Sequence, residues 1–346
     1  MVLKGILAVI ILVTGTLFVI TKIAFDKTFL KKKKNTEEAI RSLIDKQMFD
    51  RDIYNSVKRE EVIIKSSDGI KLKGFMIEND KMINRFVIMV HGYSGNHHYQ
   101  MPFVNMFLNE GFNILLVDQR SHGKSGGKYP TYGIKEKQDI SGFIDYLNER
   151  YGENLFLGLH GQSMGAATSL MCGAMDTRVD FVVSDCAFSS AKEVINSELG
   201  KHKYIPKAII YSILKAVTKL RVKVDIEKSS PINDICACRK KLPILFIHGK
   251  ADSKVPCSMG EDMYKRRNNK IDRLLLVDNA EHMVCYKHNK EEYEKNVHKI
   301  IETALEIKTE EGNRRLINSA NVGWNVKFKI ENVKWRKEFL SEFFKI

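Results

Sequence analysis

Proline and glycine are sparse, six and 22 in 346 residues, which excludes a collagen-like or disordered chain. The six cysteines (Cys172, Cys186, Cys236, Cys238, Cys257 and Cys285) form no disulfide framework, and a chain this long does not need one. Cys236-Ala237-Cys238 has one intervening residue where thioredoxin-like and zinc motifs have two, so reduced, mostly buried thiols are expected. There is no RNA-binding aromatic signature, zinc-finger spacing, basic zipper region or internal repeat. Nucleic acid is therefore not expected as a partner, although the formal net charge is +14. What is present is an ordinary apolar share of 44%, enough to bury the core of one large α/β domain with additions.

Part of the positive excess is concentrated at Lys31 to Lys34, directly after an apolar segment. That placement points to an anionic lipid surface. Residues 5–21 carry no charge, and Ile23, Ala24 and Phe25 extend the apolar stretch past Lys22, whose long side chain can snorkel. About 20 residues span a bilayer core, so residues 1–26 are expected to be a transmembrane anchor. A cleaved signal peptide is the weaker alternative, because no small-x-small site follows closely. The lysines after the span slightly favour a cytoplasmic catalytic domain on a single-pass membrane protein.

Residues 27–58 read as a charged linker helix, with apolar spacing at Ile40, Leu43, Ile44 and Met48. Glu61–Lys65 and Ile70–Ile77, joined through Asp68-Gly69, form a predicted hairpin. From residue 85 the pattern changes to continuous apolar runs alternating with helical stretches. The runs are 85–90, 113–118, 154–160, 179–185, 242–248 and 273–277. Such runs suit strands covered on both faces, and their alternation with helices predicts βαβ units and a parallel sheet. Residues 188–240 interrupt this rhythm with an amphipathic stretch, Tyr204 to Val224, read as a helical lid insertion. The domain is expected to occupy 59–308. In the extension 309–346, Trp335, Phe339, Leu340, Phe343 and Phe344 fall on one helical face opposite lysines. That extension could lie on a membrane or pack on its own domain.

Gly161-Gln162-Ser163-Met164-Gly165 lies between an apolar run and a helix-forming stretch, 166–174. Alone the Gly-x-Ser-x-Gly pattern is weak; between a strand and a helix it marks a sharp turn that presents a serine hydroxyl above the sheet edge. A serine needs a base, and the base needs an acid to fix its tautomer. Downstream, Asp252 and His282 each follow a strand, where open α/β sheets place their sites. The order is Ser, acid, His. Asp185 is the reserve acid, and Asp278 reads as a strand-end residue. The backbone N–H groups of Tyr93, after the strand ending at Val90, and of Met164 are the candidate oxyanion hole. His91 reads as structural, His97-His98 as a loop pair without carboxylates at ligand spacing, and His122 as a decoy preceding the nucleophile.

Val90-His91-Gly92-Tyr93, Asp118 to Ser125, Gly161 to Gly165, Ile247-His248-Gly249 with Asp252, and His282 together resemble bacterial α/β hydrolases related to Bem46-like and serine-aminopeptidase-like enzymes. The resemblance spans residues 60–308. It implies an α/β-hydrolase fold and hydrolysis of an ester, thioester or amide without a metal or organic cofactor. It says almost nothing about the substrate. Ser121 departs from the glycine usual in such turns and puts the local turn geometry in question. The expected activity is acyl transfer to water from a small-molecule or lipid-like acyl substrate, with an acyltransferase or a non-catalytic binding protein as the rival readings.

Overall fold

The computed structural model describes residues 2–30, 33–79, 84–199 and 207–323, without the side chains of 8–10, 13, 17, 207 and 313–323. The aromatic face expected beyond Trp324 lies outside the described residues.

Eight strands form one sheet: β1 (Glu60–Lys65), β2 (Lys71–Ile77), β3 (Arg85–Val90), β4 (Asn113–Asp118), β5 (Phe156–Gln162), β6 (Phe181–Asp185), β7 (Ile244–Gly249) and β8 (Arg273–Val277). Their order is β1-β2-β4-β3-β5-β6-β7-β8. β2 is antiparallel to β1 and β4, and all remaining neighbours are parallel. The expected α/β-hydrolase fold, a mostly parallel sheet flanked by helices, is present.

The apolar runs are explained by burial on both faces. On β3, Phe86, Ile88 and Val90 join one apolar cluster while Val87 and Met89 join the cluster on the opposite side. Strand periodicity separates the two sets. The helices Glu136–Tyr151 and Met164–Met175 cover the first face, and the helix beginning at Lys290 covers the second. That last helix continues to Gly323, past the boundary expected at 308. At the hairpin turn, Asp68 reaches buried Arg120 (2.9 Å), which also holds Asp139 (2.6 Å), so the turn after β4 is tied to the hairpin.

Ser121 answers the question its position raised. It adopts φ +60°, and its N–H donates to Gly126 O (2.6 Å), so the turn keeps the left-handed geometry with a serine in it. Its hydroxyl is buried and has no hydrogen-bond partner. A left-handed residue with a Cβ costs about 1–2 kcal/mol, and glycine returns about 0.5–1 kcal/mol of that as backbone entropy. Ser121→Gly is therefore expected to raise stability by about 1 kcal/mol; a urea midpoint equal to or below wild type would contradict this account.

Three expectations need amendment. The segment read as one linker helix contains two short helices, Thr36–Asp45, begun by an Asn35 capping box, and Arg51–Ser56, capped by Asp50. The first buries Ala39 and Leu43 against Tyr99, so it packs on the domain. Of the six thiols, all free, only Cys172, Cys186 and Cys285 are buried. The first helix, Val2–Phe29, differs from a free-standing anchor. Among the described residues no helix is long and apolar enough to cross a membrane. Five side chains of its uncharged run, at 8–10, 13 and 17, are not among those described. Its last third is a packing element: Thr21, Ala24, Phe25 and Phe29 are buried, with Phe25 edge-on to Tyr129 (5.7 Å) and Phe29 edge-on to Tyr132 (5.8 Å).

The insert between β6 and β7 contains the helices Ala191–Leu199, Lys207–Arg221 and Pro231–Ala237. The first two share an apolar cluster with Phe25, Phe29 and Met164. The N-terminal helix and the insert therefore meet above the start of the helix after β5.

Candidate active site

β5 ends at Gln162, and the chain turns sharply through Ser163 into the helix Met164–Met175. Ser163 has φ +55° and ψ −118°, a strained conformation for a non-glycine residue. The turn needs both flanking glycines. A Cβ on Gly161 would lie 2.3 Å from Gly165 O, and one on Gly165 would lie 2.1 Å from Val90 O. The N–H of Ser163 donates to Asp185 O (2.8 Å), tying the elbow to the end of β6.

The three side chains expected from chain order converge here. His282 Nε2 lies 2.9 Å from Ser163 Oγ, and His282 Nδ1 lies 2.6 Å from Asp252 Oδ2. Asp252 Oδ1 accepts from the N–H groups of Lys254 and Val255, both at 2.9 Å, which fixes the carboxylate plane. Burial pushes the Asp252 carboxyl up, but the nearby His248 ring and the hydrogen bond with His282 outweigh it and hold it well below the usual carboxylate range. Asp252 is thus an anion beside the imidazole. With Asp252 accepting from Nδ1–H, Nε2 is left to accept the serine proton. Ser163 is 9% exposed, enough to be reached from the cavity it faces.

Asp185 lies elsewhere. It is buried, accepts from Gln162 Nε2 (3.0 Å), and burial raises its carboxyl despite hydrogen bonds from Cys186 and Gln162. Asp278 is exposed and pairs with Lys250 (2.7 Å). Tyr93 and Met164 line the same cavity as Ser163 and His282. His91 and His122 hold the loop between them. In the tautomers that complete their bonds, His91 Nδ1–H donates to Gly92 O (2.7 Å) and His122 Nδ1–H to Arg120 O (3.0 Å). Their Nε2 atoms accept from the N–H groups of Gln119 (3.1 Å) and Ser94 (3.0 Å). His97 is not a free loop residue: its backbone N–H donates to Asp118 Oδ1 (2.8 Å), its Nδ1 lies 3.0 Å from the same oxygen, and its ring stacks on Phe75. Among the described residues, two groups have ligand atoms close enough to share a metal ion, Asp185-Cys186-Cys285 and Cys186-Asp252-His282.

Sequence reasoning missed His248 at the end of β7. Its Nε2–H donates to Val255 O (3.0 Å), and Asp252 Oδ2 lies 3.6 Å away. Position at a strand's carboxyl end was the available signal. It also missed a buried polar chain under the elbow. Tyr293 Oη donates to His160 Nε2 (2.9 Å), His160 Nδ1–H to Gln100 Oε1 (2.9 Å), and Gln100 to Gln162 Oε1 (3.3 Å).

Burial pushes both His160 and His122 down to about 3, against an ordinary 6.5. Between those values the unfolded chain binds more protons, so stability rises with pH across that window. It is fully present above about pH 6.5 and is lost as pH falls toward 3. Urea midpoints taken from pH 7.5 downward are expected to fall steadily below pH 6.5. A flat profile down to pH 4 would mean these rings are not held neutral.

The eight-stranded sheet, the strained elbow and the groups converging on it define an α/β hydrolase of the esterase and peptidase type. The chain belongs to the α/β-hydrolase family described as serine aminopeptidase, S33, whose model matches residues 82–240. It is 31% identical over 274 residues to YqkD of Bacillus subtilis, covering 78% of this chain and 88% of that protein. It is 23% identical over 206 residues to the protein bem46 of Schizosaccharomyces pombe, covering 58% of this chain and 63% of the other. Among solved structures it resembles the Pyrococcus furiosus esterase Pf2001, with a TM-score of 0.58 and 27% identity, covering 73% of this chain and 94% of that one. The resemblance read from the motifs is thereby borne out.

Proposed function

We propose that the protein is a serine hydrolase that cleaves a carboxylic ester, thioester or amide through an acyl-enzyme. Ser163 attacks the carbonyl carbon, His282 takes the hydroxyl proton and returns it to the leaving group, and Asp252 holds the imidazole in the required tautomer. The N–H groups of Tyr93 and Met164 receive the oxyanion. Water, deprotonated by His282, then releases the acid and restores Ser163. The observation carrying this reading is the pair of contacts on His282, 2.9 Å to Ser163 Oγ and 2.6 Å to Asp252. The similarity to an esterase supports it. A fluorophosphonate probe is expected to label wild type and leave Ser163→Ala unlabelled; an unlabelled wild type would favour a non-catalytic binding protein.

The insert of residues 188–240 acts in this reading as a lid, supported by its packing against Met164, next to the nucleophile. The N-terminal helix seats its first two thirds in a membrane, with the catalytic domain on the cytoplasmic face. Support comes from the uncharged run 5–21 and from exposed Leu3, Ile6, Leu7, Ile11, Leu12 and Phe18 around the helix. An acyl or lipid-like substrate fits such a location. Recovery of the full chain in the carbonate-washed soluble fraction would remove the membrane part of this proposal.

A further inference from the structure

Ser163 and His282 face a cavity of about 500 Å³. A second cavity, of about 350 Å³, lies between the N-terminal helix and the insert, lined by Ile20, Ile23, Ala24, Ile195, Leu199 and Ile210. The two are neighbours with a common wall: Lys27, Tyr132, Val194 and Glu198 line both. An apolar compartment therefore adjoins the catalytic cavity on the side of the first helix.

The opposite side of the catalytic cavity has a different character. Lys34, Lys46 and Lys254 line it and do not line the apolar compartment. Lys34 Nζ bonds to two hydroxyls, Ser42 Oγ (3.0 Å) and Tyr99 Oη (2.7 Å). Among the described residues none of the three lysines forms an ion pair with a carboxylate. Lys46 is lowered by burial and then by the charges of Lys254 and Lys34, so both of those cations lie close enough to act on it. Glu198 is the single carboxylate among the residues lining this cavity, and it sits at the junction with the apolar compartment. Lys34 and Lys46 are half-buried and Lys254 is exposed, and such converging cations without carboxylate partners are a site for an anion. Lys34 and Lys46 precede the hydrolase domain, outside the matched family residues 82–240.

We propose that the substrate is an amphiphilic acyl ester. Its acyl chain occupies the compartment between the N-terminal helix and the insert, and its leaving group carries an anion held by Lys34, Lys46 and Lys254. The inference rests on the serine-hydrolase reading. Attack by Ser163 Oγ breaks the ester C–O bond, the leaving oxygen takes the proton from His282, and the anionic alcohol departs on the lysine side. The fatty acyl group stays on Ser163 until water releases it as the acid.

The test uses the full chain with 4-nitrophenyl esters of C2 to C12 acids, each with and without a ring carboxylate. A second pair, 1-acylglycerol 3-phosphate and 1-acylglycerol, distinguishes a phosphate from a carboxylate as the preferred anion. On wild type, kcat/KM is expected to rise up to about fourfold per methylene until the compartment is full. The anionic ester of each pair is expected to be preferred at least about tenfold at low salt, with the preference shrinking at 0.5 M salt. Lys34→Gln/Lys46→Gln should collapse the anionic-to-neutral ratio toward one, whereas exposed Lys265→Gln should leave it unchanged. Val194→Trp, at the junction, should move the chain-length optimum to shorter acids. A wild type labelled by fluorophosphonate but indifferent to chain length or to charge would overturn this inference and leave the hydrolase reading standing. A wild type that is not labelled would overturn both.

Discussion

Asp252→Asn is expected to lower kcat by about 10⁴, or about 5 kcal/mol of transition-state stabilisation, with little change in KM. Asp252 Oδ1 already accepts two backbone N–H groups, from Lys254 and Val255. An asparagine at this position keeps its oxygen there and turns its NH₂ toward His282 Nδ1. The imidazole must then accept at Nδ1 and carry its proton on Nε2, the atom 2.9 Å from Ser163 Oγ. A ring in that tautomer cannot take the serine proton. Asp185→Asn is the matched control, a buried carboxylate on the neighbouring strand that bonds Gln162 and not His282. The measurement is kcat on an activated ester, with urea midpoints to establish that both variants fold. If Asp252→Asn stays within tenfold of wild type while Asp185→Asn loses activity, the acid has been misassigned.

Gly165→Ala is expected to destabilise the fold by more than about 4 kcal/mol, in the range reserved for disrupted packing of fixed groups. The added Cβ would meet Val90 O at 2.1 Å and His91 O at 2.5 Å. Both are backbone atoms at the end of a strand buried on both faces, so no side-chain rotation relieves the clash. Either β3 or the elbow must move, and the two carry Tyr93 and Ser163. Gly142→Ala provides the contrast: it lies inside the helix Glu136–Tyr151, and its new Cβ would meet only Ile64 at 3.4 Å. Helix propensity there favours alanine by about 1 kcal/mol. Equal urea midpoints for the two variants would show that the elbow is not the tight junction described.

Much of the hydrolase domain could be read from the chain because its signals are local. A strand buried on both faces needs an uninterrupted apolar run, so β3 to β8 were visible to within about two residues. The elbow announces itself because only glycine fits at 161 and 165. The order of Ser163, Asp252 and His282 follows from which strands end where, and the structure brings those side chains within hydrogen-bond distance.

What stayed hidden depends on contacts between distant parts of the chain. The crossing that inserts β4 between β2 and β3 leaves no periodic trace. The first helix carries an uncharged run, 5–21, with no charged face, so its pattern cannot tell a lipid neighbour from the insert against which Phe25 and Phe29 pack. Lys34 reads as part of the Lys31 to Lys34 cluster facing a lipid surface, and nothing local says that Lys34, Lys46 and Lys254 come to one cavity. His248 belongs to the Ile247-His248-Gly249 motif, and it is the folding of the loop after β7 that brings Asp252 back to 3.6 Å from its ring.

The carbonyl oxygen of Thr28, near the end of the first helix, accepts hydrogen bonds from both Tyr93 (2.8 Å) and Tyr132 (3.0 Å). Tyr93, which lines the cavity with Ser163, is also the residue whose amide is proposed to receive the oxyanion. A rigid rod is thus pinned by one end to the part of the site that must be in register with Ser163. Tilting or withdrawing that rod pulls on the phenol of residue 93, and through it on the amide beside the nucleophile. In the proposed mechanism the position of the first helix is thereby coupled, through Tyr93, to the place where the bond is broken.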